Sequence, residues 1–317
     1  MGAVTIAPAQ VVAKGQPQAY PHKPIRMIVP TAPGGPVDII ARTVGPGLSE
    51  ALGQQIVIDN RAGAGGIMGA ELVARATPDG YTLLLTHSGL LGIAPMMYTP
   101  PIYDALKDFT HVSVVAAMPM LLLVNPGLPA KTVPELIALA KSRPGKLNYA
   151  SGGTGTGIHV AFELFNMVAG IKTMHVPYKG AAPGMTGLMG GEVDMMFNGL
   201  PSALPFMKAG RLRALAVGGT KRTALLPDLP TVSESGLVFD YSGWFAVVGP
   251  AGIPQDVLAR LHGALATTLA TATMKERLTG QGIEPIGSTP AQFARFLQEE
   301  NIRLDKVITA AGLKEKK

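Results

Sequence analysis

The chain contains no cysteine, one tryptophan and few aromatics, 5% of its 317 residues, and only 15% of it is charged. Without cysteine there is no disulfide, no thiolate nucleophile and no cysteine-ligated metal. The six histidines, at positions 22, 87, 111, 159, 175 and 262, form no His-x-x-x-His pair. A Gly-x-Ser-x-Gly elbow and a Walker A loop are also missing. His87 and Ser88 are sequence neighbours, and adjacent side chains rarely face one another, so they do not signal a triad. On these grounds no catalytic residue, no metal and no cofactor is expected. No apolar run reaches the roughly 18 residues of a membrane-spanning helix. The mean hydropathy of +0.28 therefore points to a large buried interior.

Lys and Arg outnumber Asp and Glu by 27 to 21, a net charge of +6, but they are scattered. The one basic cluster is the terminal Lys314-Glu315-Lys316-Lys317. A nucleic-acid partner would need a clustered basic face with interleaved aromatics, so none is expected; a mildly basic surface suits a small acidic ligand.

What the chain has in abundance is glycine, 39 residues, and proline, 27, between short β-branched runs. Strand-like runs at 25–29, 55–59 and 81–86 precede helical runs at 39–52 and 67–76 and a short segment ending near Tyr98. A second series follows: a helix at Thr132-Val133-Pro134-Glu135, with a capping box, and strands near 147–150, 173–176, 193–197 and 212–217. Such alternation specifies an α/β fold with largely parallel sheets, in which ligands bind beyond the carboxyl ends of the strands. Apolar runs at 117–124 and 244–248 read as two strands crossing between lobes, with helices over 255–271 and 290–311 returning to the first lobe. The expected organisation is residues 20–120 plus 250–317 as lobe 1 and 121–249 as lobe 2. Residues 1–19 are small and apolar with no basic residue before Lys14. They read either as a disordered tail or as the remnant of a signal segment.

Two strand–glycine loop–helix units stand out. The first carries Pro33-Gly34-Gly35 with Asp38 in the first helical turn; the second carries Ser151-Gly152-Gly153-Thr154-Gly155-Thr156, with Ser151 or Thr154 as helix cap and His159 one turn further on. Each aims bare N–H groups and a helix N-terminus beyond a strand end, which makes an anion site. Asp38 is expected to order the first loop or to meet a ligand directly. His159 either touches the ligand or orients its loop from within. Ser88, Tyr178 and Asn198 also follow strands and join the ligand-binding candidates. Lys179 reads as a solvated loop residue. A third glycine stretch, 63–69, has the spacing Gly-x-Gly-x-x-x-Gly rather than a dinucleotide fingerprint, and it reads as helix–sheet packing.

The order of motifs then resembles one known family. Tyr20-Pro21-x-Lys23-Pro24-Ile25, Pro33-Gly34-Gly35-x-x-Asp38-x-x-Ala41-Arg42 and Leu52-Gly53-Gln54 are followed by Asn60-Arg61-x-Gly63-Ala64-Gly65-Gly66, Pro78-Asp79-Gly80-Tyr81-Thr82-Leu83 and Lys107-Asp108-Phe109. Pro144-Gly145-Lys146-Leu147-x-Tyr149-Ala150-Ser151, His175-Val176-Pro177-Tyr178-Lys179-Gly180, Lys208-Ala209-Gly210-Arg211-Leu212-Arg213-Ala214-Leu215 and Leu226-Pro227-Asp228-Leu229-Pro230-Thr231 complete the set. This pattern resembles the Bug family of periplasmic solute-binding proteins, the TctC-like receptors of tripartite tricarboxylate transporters. The resemblance implies a type II periplasmic-binding-protein fold, two α/β lobes joined by two crossover strands around a cleft. It implies a small carboxylate as ligand, held by the loops at 33–38 and 151–156. It also implies a periplasmic location and, as partners, the membrane subunits of such a transporter or a sensor protein. Where the family usually carries an aromatic before Gly-Gly, this chain has Thr31 and Ala32, which alters the pocket wall. The rival reading is an enzyme acting on a small acidic metabolite on the same scaffold, with His159 or Asp38 as base.

Overall fold

The computed structural model describes residues 19–97, 101–310 and 312–314. The tail or signal segment expected over 1–19 lies outside them apart from residue 19, as does the expected end near Tyr98.

The first unit runs β1 (Ile25–Val29), α1 (Pro36–Leu52), β2 (Ile56–Asn60), α2 (Ile67–Ala74) and β3 (Thr82–His87). Three of these strands are parallel, with β1 between β2 and β3. After a π-helical turn at Gly89–Ile93 and the short α3 (Ala94–Met97), the chain enters β4 (Phe109–Val124). This strand is 16 residues long, about twice the expected run. The second unit follows: α4 (Val133–Ser142), β5 (Asn148–Ser151), α5 (Gly157–Ala169), β6 (Met174–Pro177), α6 (Ala181–Gly190), β7 (Met195–Gly199), α7 (Leu200–Lys208) and β8 (Arg213–Val217). The return strand is β9 (Ser242–Pro250), followed by α8 (Gln255–Ala270), α9 (Ala272–Thr279), β10 (Glu284–Pro285) and α10 (Pro290–Ala310).

The strand order is β2-β1-β3-β9-β4-β7-β5-β6, with β8 and β10 also paired to β4. The length of β4 explains the architecture. Phe109 to Pro119 pairs antiparallel with β9, and Met120 to Val124 pairs with β7 and β8. One strand thus serves two sheets and joins them. Each sheet has its own core: Met27, Leu85 and Val247 under α1 and α8 in one, Tyr149, Phe162 and Phe197 in the other.

Local rules place the helix starts. Pro36 occupies the first position of α1, where its missing N–H costs nothing, so the helix starts three residues earlier than the apolar periodicity suggests. At α4 the Thr132 hydroxyl accepts from Glu135 N–H at 3.3 Å, and the Glu135 carboxylate accepts from Lys131 N–H at 2.7 Å, one residue before the cap.

Candidate functional site

The loop before α1 is held by one carboxylate. Asp38 is buried and accepts hydrogen bonds from Gly34 N–H (2.9 Å), Arg42 Nε (2.9 Å) and Asn60 Nδ2 (3.0 Å). Asn60 Nδ2 also donates to Thr31 C=O at 3.0 Å, so the end of β2 clamps both ends of the loop. Burial alone would raise the pKa of Asp38; the bonds from Arg42, Gly34 and Asn60 outweigh it and hold the carboxyl below its ordinary range. Asp38 therefore orders the loop. Pro33 and Gly34 lie on its exposed side, and Gly35 turns inward.

The loop before α5 is organised from behind. Ser151 Oγ accepts from Gly153 N–H at 3.0 Å and lies 2.6 Å from His175 Nε2. Thr156 caps α5, accepting from His159 N–H at 3.4 Å while its hydroxyl donates to Gly153 C=O at 2.7 Å. The cap is thus neither Ser151 nor Thr154, because only Thr156 stands in extended backbone next to the first helical residue. His159 Nδ1 accepts from Gly155 N–H at 3.3 Å, which requires that nitrogen to be unprotonated. Its ring stacks on His175, centroids 4.1 Å apart, and Tyr149 and Phe162 extend the stack. Burial, aided for His159 by His175, pushes the pKa of His159 down to about 3; burial takes His175 down to about 4. Both rings are neutral at pH 7, and His159 supports the loop from inside.

A third helix start completes the arrangement. Gly180, at φ 128, leads into α6 with no side-chain cap. It meets the first unit closely: a Cβ built on Gly180 would lie 3.2 Å from Ala32 Cβ, and one on Gly35 would lie 3.8 Å from Ala181 Cβ. A single glycine before a helix is an ordinary turn in sequence, so this start carries no anion-site signal there.

The N-termini of α1, α5 and α6 line one cavity, through Gly35, Pro36 and Val37, through Thr156, Gly157 and Ile158, and through Gly180 and Ala181. Its empty volume is about 530 Å³, part of it open to solvent. The N–H groups of Gly35, Val37, Gly157, Ile158 and Ala181 have no hydrogen-bond partner among the described residues. Each helix start carries about half a positive charge, so the three together favour an anion. Among the described residues, no Lys, Arg, Asp or Glu lines the space. Its remaining walls are Thr31, His87 and Ser88 from just beyond β1 and the end of β3, Gly152, Met120 from β4, Gly243 and Phe245 from β9, and Tyr241 immediately before β9. Tyr241 and His87 carried no sequence signal as site residues. They reach the cavity only because β9 and β3 pair, with Phe245 opposite His87.

A wider, outer cavity of about 820 Å³ shares Thr31, Gly152 and Gly180 with the first. Gly153, Thr154, Tyr178 and Lys179 line it. So do Gly63, Ala64, Gly65 and Gly66, so the third glycine stretch has two roles. Gly66 and Gly69 pack on Pro30, as expected for helix–sheet packing, while Gly65 approaches Thr154 across the gap. Tyr178 is turned outward by a 3.0 Å bond to Glu192. Three candidates point elsewhere: Gly155 packs on Met97 and Ala94, Ser151 bonds His175, and Asn198 is buried with its amide on Met185 and on Gly199 N–H.

Two α/β lobes that close helix N-termini on one cavity define a solute-binding protein of the periplasmic two-lobed class. Residues 40–313 match the family model described as "Tripartite tricarboxylate transporter family receptor", and the chain belongs to that family. The structure of periplasmic binding protein BugD superposes with a TM-score of 0.90 at 32% identity, covering 94% of this chain and 100% of that one. Rpa4515 of R. palustris, solved with adipate, gives 0.89 at 36% identity over 92% and 98% of the two chains. MatC of Rhodopseudomonas palustris, with bound malate, gives 0.87 at 33% identity over 91% and 100%.

Proposed function

We propose that this protein captures a small organic carboxylate between its lobes in the periplasm and delivers it to the membrane subunits of a tripartite tricarboxylate-type transporter. The observation that carries the reading is the meeting of three helix starts with unpaired N–H groups on a cavity that no charged side chain lines among the described residues. Unpaired N–H groups bind a carboxylate without a fixed countercharge, which permits release as well as capture. The adipate and malate bound by the two R. palustris relatives support the same ligand class. The contacts proposed are the N–H groups of Gly35, Val37, Gly157, Ile158 and Ala181, with Ser88 and Thr156 beside them. The lobes meet at residues 119–120 and 241–242; pairing of β9 with β3 favours the second junction there rather than near 249. Ligand selects the closed form because only that form brings all three helix starts to one molecule.

Neither base named for the enzyme reading lines the cavity. Asp38 is spent on three donors and His159 on Gly155 N–H. Thermal melting against a panel of mono- and dicarboxylic acids tests the proposal. A higher melting temperature with at least one acid, recovered chemically unchanged, is expected. No shift with any acid, or conversion of the bound acid, overturns it.

A further inference from the structure

The cavity holds more hydrogen-bonding capacity than a carboxylate on the helix starts would use. His87, at the end of β3, is 8% exposed and lines the cavity, yet its ring has no hydrogen-bond partner among the described residues. Thr31, at the end of β1, lines the same space, and its buried Oγ1 is likewise unpartnered. Buried polar atoms without partners are rare, and each costs stability unless something else supplies the bond. Both residues face the cavity from the first lobe. The π-helical turn that follows His87 brings Gly89 against Gly157 at the start of α5, where a Cβ on Gly89 would lie 2.3 Å from Gly157 N. The unpartnered imidazole therefore sits close to the carboxylate cradle, with Phe245 paired opposite it across β3 and β9.

Resting on the carboxylate reading above, we infer that His87 and Thr31 are specificity-determining residues that read a second, uncharged oxygen, a hydroxyl or carbonyl, on the bound acid. The chemistry fits this class. Burial pushes the pKa of His87 down to about 4, so at pH 7 the ring offers one donor and one acceptor and no charge. Because neither nitrogen is fixed by a protein partner, the tautomer is free to suit a carbonyl or a hydroxyl. Thr31 Oγ1 adds a rotating donor and acceptor. An unsubstituted acid would leave both groups buried and unpaired in the closed form. A site built to bond a polar group discriminates strongly against the analogue that lacks it.

The test uses matched pairs of acids differing by one oxygen: malate and succinate, 3-hydroxybutyrate and butyrate, mandelate and phenylacetate. Calorimetry on the full chain measures, for the pair that binds, the ratio of the two dissociation constants. The expected ratio favours the oxygenated member by roughly 10–100-fold. It should fall to within about threefold in His87→Leu and shrink also in the isosteric Thr31→Val, which keeps the test open should the first variant fold poorly. Equal affinity for both members in the wild type, or an unchanged ratio in both variants, overturns the inference while leaving carboxylate binding in place. Failure of every acid to bind overturns the carboxylate reading and this inference together.

Discussion

Ser151 Oγ lies 2.6 Å from His175 Nε2 and accepts from Gly153 N–H, so a hydroxyl that a sequence reader assigns to the ligand is committed to the neighbouring strand. The bond spans β5 to β6 and fixes where the loop leaves the sheet. Ser151→Ala should lower stability by about 1–2 kcal/mol, because it leaves the buried Gly153 N–H without its acceptor. Urea denaturation measures this. A loss of affinity with no loss of stability would instead place Ser151 on the ligand.

Asp38 ties the other loop. Asp38→Asn removes a charge and sets an amide where three donors converge. The expected cost is about 1–3 kcal/mol, most of it from Gly34 and Asn60, since Arg42 is half exposed and repays little. Ligand affinity should fall with it, because Gly35 and Val37 lose their placement. Stability and affinity both unchanged would show that the loop holds itself.

Closure rests on glycine facing backbone. Gly89→Ala puts a methyl 2.3 Å from Gly157 N, a distance no real Cβ shows, and the atom it meets is backbone. Each lobe keeps its own core, so the unliganded melting temperature should change little. Affinity should fall by at least about 100-fold and ligand-dependent compaction in small-angle scattering should vanish, since the closed form supplies the affinity. Wild-type affinity in this variant would mean that the apposition is not needed for binding.

The buried histidines make stability depend on pH. Burial lowers the pKa of His87 to about 4, of His159 to about 3 and of His175 to about 4, all below the usual value of 6.5. The unfolded chain therefore takes up protons that the folded chain refuses. The stabilisation is complete above pH 6.5 and is lost as the pH falls from there through 4 to about 3; each pKa unit is worth about 1.4 kcal/mol for the buried His87 and His159 and less for the half-buried His175. Asp38, held low, acts only below its unfolded pKa of about 3.9. The melting temperature should drop between pH 7 and pH 4.5. A flat profile over that interval would mean that these rings are charged or solvated.

Much of the architecture is readable in one dimension. Pro33-Gly34-Gly35 and the loop at 151–156 lie where strand endings and helix starts put them, because local chemistry decides both. The start of α6 is not legible in the sequence, since one glycine before a helix is an ordinary turn until Ala32 of the other lobe comes to face it. Asn198 looked like a site residue because it ends a strand; its amide instead turns to Met185 and to Gly199 N–H. Side-chain direction at a strand end depends on pairing register, which the sequence does not display.

By itself the sequence determined the alternation of strands and helices, the absence of cysteine chemistry and the two loops that could cradle an anion. These follow from propensity, spacing and residue type within a few positions of one another. Only the tertiary structure decided that α6 brings a third helix start to the cavity, and that His87, Thr31 and Tyr241 wall it. Those facts depend on β4 running through both sheets and on β9 pairing beside β3, contacts between residues as much as about 160 positions apart that register alone creates.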